Sequence, residues 1–73
     1  MENFRITIAS LPDRENLVAE ISYKNNQFAE ISQETGELKI QFYKHPQKDY
    51  WEFSMDDILQ IIEKAKKQLI QVG

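Results

Sequence analysis

The chain has no cysteine, one histidine, two glycines and two prolines among 73 residues, and each scarcity excludes a class of protein. Without cysteine there is no disulfide scaffold, no thiolate metal site and no thiol chemistry. A lone histidine, His45, puts a closed zinc site of the usual Cys/His type out of reach. Gly36 and Gly73 are the only glycines, so no glycine-rich phosphate loop is possible. No Ser/His/acid set on a strand-to-helix nucleophile turn is present. Positive charge is also short. Nine Lys and Arg face twelve Asp and Glu, a net charge of -3, which argues against nucleic acid or an anionic membrane as partner. No long apolar run occurs, so no membrane span is expected. The start, MENFRITIAS, has neither the cationic head nor the apolar stretch of a signal peptide, and a cytoplasmic location is expected. Low-complexity tracts and Gly/Ser linkers are lacking, and residues 1–73 read as a single domain.

What is present is periodic. Hydrophobic residues make up 41% of the chain, including one Trp, three Tyr and four Phe, which suits a folded domain. Asn3 to Ala9 alternates strictly, with Phe4, Ile6 and Ile8 on one face. The stretch Leu11-Pro-Asp-Arg-Glu-Asn16 is a connector with turn chemistry at Pro12, Asp13 and Asn16. A second strand spans Leu17 to Lys24 with Leu17, Ala19, Ile21 and Tyr23 inward. A third runs from Gln27 to Gln33 and a fourth from Leu38 to Lys44, with Leu38, Ile40 and Phe42 inward. A side-chain period of two constrains the register, because a slip of one residue inverts every face. A two-residue Asn25-Asn26 turn mixes the faces. A three-residue loop, Asn25-Asn26-Gln27, sets Ile21 opposite Ile31 and Tyr23 opposite Ala29. A four-residue loop, Glu34 to Glu37, sets Ile31 opposite Ile40 and Ala29 opposite Phe42, with Gly36 in the left-handed conformation.

The last third changes period. After the polar loop Lys44 to Asp49 comes Tyr50-Trp-Glu-Phe53, a possible short extra strand at 50–53 whose Trp51 and Phe53 close the core. Ser54 reads as an N-cap with Asp57 three residues on. Met55, Ile58, Leu59, Ile62, Ala65 and Leu69, extended by Val72, form an apolar stripe at helical spacing, with Ile61 off it as a small exposed contact. The expected fold is α+β: a four-stranded antiparallel meander with one C-terminal amphipathic helix on one face, ββββα.

The other sheet face carries the candidate chemistry. Phe28 and Tyr43 fall opposite each other there, ringed by Lys24, Glu30, Gln41 and Ser32 with Glu20, Arg5 and Thr7 further along, which resembles the anatomy of a protein-binding patch. Cross-strand stabilisation of a wet sheet explains the same aromatics without a partner. If they bind, replacing both by alanine abolishes binding and leaves the melting temperature nearly unchanged. Glu20 and Glu30 also suggest a general-acid pair or divalent-ion site, against ordinary pairing of Arg5 with Glu20 and Ser22 with Glu30. His45 reads as a solvated loop residue, and no cofactor is expected.

In Leu17-Val-Ala-Glu-Ile, Phe28-Ala-Glu-Ile-Ser-Gln-Glu, Ile40-Gln-Phe-Tyr, Trp51-Glu-Phe and Asp56-Asp-Ile-Leu to Lys67-Gln-Leu, the chain resembles small acidic bacterial proteins of ββββα form. Some of that kind are toxin-immunity proteins. The resemblance is one of pattern and transfers no site residue. It implies a stoichiometric binder that blocks a basic toxin domain, reached quickly by electrostatic steering. The expectation is therefore a non-enzymatic, immunity- or antitoxin-like binder of one protein through the open sheet face. The alternative is a small structural or regulatory subunit that homodimerises through an edge strand.

Overall fold

The structure, a computed structural model, describes residues 2–72; Gly73 lies outside them. Four strands, β1 (Phe4–Ala9), β2 (Val18–Tyr23), β3 (Asn26–Ser32) and β4 (Lys39–Phe42), are followed by one helix, α1 (Met55–Val72). The strands pair antiparallel in the order β1-β2-β3-β4, the expected meander. Residues 50–53 form no strand. Trp51 and Phe53 are held by side-chain packing at the core, and the Trp51 Nε1 donates to the Tyr43 carbonyl at 3.0 Å, in place of a ladder.

The register between β3 and β4 is as expected, with Ile31 opposite Ile40 and Ala29 opposite Phe42. Gly36 sits at φ 80° in the connecting loop, where any side chain would be strained. Between β2 and β3 the route differs. Lys24 and Asn25, at φ 49° and 70°, make a two-residue turn with Tyr23 opposite Asn26. Continued without interruption, that register would point Glu30 at the helix. A β-bulge next to the turn absorbs one residue: Ser22 faces Gln27 but Ile21 faces Ala29, leaving Phe28 as the extra residue. The parity of the faces is therefore the expected one, while the pairing is displaced by two residues.

The core lies between the sheet and α1, built from Ala19, Ile21, Phe28, Ala29, Ile31, Ile61, Ala65 and Leu69. Ser54 caps the helix. Its carbonyl accepts from the Ile58 amide at 2.9 Å and its hydroxyl from the Asp57 amide at 3.4 Å. The helix packs chiefly on β2 and β1. That placement rotates the buried stripe away from the expected one. Ile61 is 3% exposed and central, not an outlying contact, whereas Met55, Leu59 and Val72 are exposed. Leu38, Ile40 and Phe42 point to the helix side as expected, yet stay uncovered because α1 lies over the other half of the sheet. Among the described residues no helix is long and apolar enough to cross a membrane.

Candidate interaction site

The expected patch on the outer sheet face is taken apart by the bulge. Phe28 and Tyr43 are neighbours across β3 and the end of β4, and the Tyr43 amide donates to the Phe28 carbonyl at 2.9 Å. Phe28, however, is fully buried on the helix side. Its ring centroid lies 4.7 Å from Phe53, 5.6 Å from Trp51 and 6.0 Å from Phe4. Tyr23 joins them, 4.8 Å from Phe4 and 5.2 Å from Phe53. Trp51 and Phe53 stack on one side of the chain, 16° from parallel, and close this end of the core as expected. Phe28 is thus a core residue and not a binding anchor.

Tyr43 does reach the outer face, where it serves a buried carboxylate. Its hydroxyl donates to Glu30 Oε1 at 2.8 Å, and Arg14 donates to Glu30 Oε2 at 2.9 Å. Glu30 is only 3% exposed. Burial raises the Tyr43 phenol, and the hydrogen bond to Glu30 with the charges of Glu30 and Glu20 adds to this, pushing it up to about 12. Arg14 comes from the β1–β2 connector, so that connector folds back over the face that the sequence leaves open. Val18, on the same side of β2 as Glu20, is fully buried. Glu34 pins the far end of the connector, accepting from the Glu15 amide at 2.7 Å and the Asn16 amide at 2.9 Å. These two N–H donors, from Glu15 foremost, hold the Glu34 carboxyl below its ordinary range.

The register places the remaining outer-face residues. Glu20 stands directly opposite Glu30, and Gln41 faces Glu30 from β4. Arg5 faces Ser22 and Thr7 faces Glu20, so the expected Arg5–Glu20 and Ser22–Glu30 pairs are not formed. Among the described residues no three His, Asp or Glu side chains gather where a metal ion could be held. His45 is no free loop residue either. Its ring packs 4.3 Å from Trp51, and its Nδ1 accepts the amides of Gln47 and Lys48 at 3.0 Å each. A depression of about 300 Å³ beside it, walled by Lys24, Lys48, Tyr50 and Trp51, is polar and open.

The exposed apolar surface lies elsewhere. A shallow trough of about 220 Å³ runs between β4 and α1, lined by Ile31, Leu38, Ile40, Ile62 and the stems of Lys39 and Lys66. Around it Phe42 is 59% exposed, Leu59 56% and Ile70 55%. Spacings of three and four put Met55, Leu59, Ile62, Lys66 and Ile70 on one flank of the helix, beside the buried stripe. Every residue of β4 is exposed, and its outer edge is unpaired among the described residues. The sequence pattern assigns Leu38, Ile40, Phe42, Met55, Leu59 and Ile62 to the core and leaves Ile70 unplaced; the signal is an apolar sector on α1 wider than β1 and β2 can cover.

No protein-family model, no curated protein and no solved structure matches the chain.

Proposed function

We propose that the protein is a non-enzymatic interaction module that binds one protein through the β4 edge and the trough beside it. One observation carries this reading: an unpaired strand edge and an exposed apolar strip, Leu38, Ile40, Phe42, Leu59 and Ile70, lie side by side. Scattered surface leucines are ordinary, but a contiguous strip joined to free backbone donors and acceptors suits a partner that adds a strand and buries side chains together. The outer face, with Glu20, Arg5 and Gln41, is set aside as the primary surface, since Arg14 and Tyr43 already occupy Glu30.

An inhibitor of the immunity type is the form we propose for a heterologous partner. The net charge of -3 supports a basic toxin domain, whereas Lys39 and Lys66 at the trough favour a neutral or acidic complement.

Tagged protein used as bait in a lysate of the source cells tests the module. Phe42→Glu and Leu59→Glu should each lose the captured protein, and Glu20→Gln should keep it. Capture that survives both trough variants and fails with Glu20→Gln would return the binding surface to the outer face.

A further inference from the structure

The geometry points to a second copy of this chain as the occupant of the β4 edge, joined by a two-fold axis through Ile40. The inference rests on the module reading above and names its partner.

In an antiparallel ladder, successive residues turn their N–H and C=O groups to alternate sides. The Tyr43 amide donates to β3, and the register is unbroken from Ser32–Lys39 to Ala29–Phe42. Lys39, Gln41 and Tyr43 therefore spend their backbone groups on β3. Leu38, Ile40 and Phe42 present theirs to the free side. A second β4, antiparallel and centred on Ile40, meets these groups in kind: Ile40 opposite Ile40, Leu38 opposite Phe42 and Phe42 opposite Leu38 of the second copy.

Side chains agree with the backbone. The three residues that offer edge hydrogen bonds are also the three on the helix side. Pairing about Ile40 thus makes one apolar row across the seam and keeps both helices on the same face of an eight-stranded sheet. On the other face Lys39 meets Gln41, so no like charges are opposed. A pairing of odd parity would set Ile40 beside Gln41 and put the two helices on opposite faces.

The exposed area suits a weak, concentration-dependent pairing. Leu38, Ile40 and Phe42, at 37%, 38% and 59% exposed, leave open on the order of 250 Å² on each copy, about half the non-polar share of a standard interface of about 800 Å² per partner. The seam buries these three residues, while Leu59 and Ile70 stay on the helix flanks.

Sedimentation equilibrium of the full chain tests the pairing, over about 1 μM to 1 mM, a range that brackets weak and moderate self-association. Wild-type protein should approach twice 8.7 kDa with rising concentration. Ile40→Pro removes an N–H that points only to the free edge, a position where an edge strand accepts proline. It should stay folded by circular dichroism and remain monomeric. Phe42→Glu, at a position already open to solvent, should do the same by setting charge against Leu38 of the second copy. Wild-type protein that is monomeric throughout overturns self-pairing; the module then stands or falls by the bait experiment, where a different captured protein lost with Phe42→Glu would support it. A dimer that survives Ile40→Pro overturns the β4 seam.

Discussion

The amide of Tyr43 donates to the carbonyl of Phe28 at 2.9 Å, yet the two side chains leave the sheet on opposite sides. One bulged residue causes this separation. It sends Phe28 into the aromatic end of the core and leaves Tyr43 on the outer face, over a buried glutamate. The consequence reaches beyond the two rings, because it removes the aromatic anchor from one face and leaves the exposed apolar surface on the other.

Truncating Phe28 should therefore cost stability, not binding. Phe28→Ala should destabilise by about 3–5 kcal/mol, as for other fully buried phenylalanines. That is a large part of the total of a small domain. Phe42→Ala, at an exposed site, should cost below about 1 kcal/mol in dilute solution. Urea unfolding of both variants checks the contrast, and equal costs would contradict the bulged register.

The connector should depend on its ion pair. Arg14→Met leaves Glu30 buried with only the Tyr43 hydroxyl and should cost about 2 kcal/mol. Adding Glu30→Leu should recover part of that loss, since an apolar pair requires no compensation for a buried charge. A double-mutant cycle reads the coupling, and strictly additive losses would mean that the two side chains act independently.

Tyr43 should titrate late, near 12. Its phenol is raised on folding, so the folded state holds the proton more tightly than the unfolded chain. The associated stability is complete below the ordinary tyrosine value of about 10 and is lost as the pH rises from there through about 12. Ultraviolet titration of phenolate should show a late step that Tyr43→Phe deletes. If the late step persists in that variant, the hydroxyl does not serve Glu30.

Glu34 works in the opposite direction. Its carboxyl is lowered by the Glu15 and Asn16 amides, so it contributes stability above the ordinary glutamate value and loses it as the pH falls through the folded value. The melting temperatures of wild type and Glu34→Gln should differ at neutral pH and converge in acid. A gap independent of pH would show that the carboxylate charge is not what holds the connector.

The sheet order, the helix with its Ser54 cap, the Gly36 turn and the pairing of β3 with β4 are all legible in hydrophobic period and turn chemistry. Three features are not. The bulge at Phe28 depends on Lys24 adopting positive φ, which nothing in a lysine announces. The helix position depends on where Phe53 docks against Phe4 and Tyr23; that contact sets α1 over β1 and β2 and leaves Leu38, Ile40 and Phe42 open. Arg14 was hidden for a related reason: a connector reads as solvated until a carboxylate beneath it requires a partner. Leu38, Ile40, Phe42, Leu59 and Ile62 are all legible as apolar positions, but period alone does not tell a covered face from an uncovered one.

The most direct measurement is residue-resolved amide hydrogen exchange at two protein concentrations. Gln41 and Tyr43, bonded to β3, should be protected at both. Ile40 and Phe42, whose amides face the free edge, should exchange freely in dilute solution and become protected when the protein is concentrated. Free exchange of Ile40 and Phe42 at every concentration would contradict pairing of the β4 edge with a second copy.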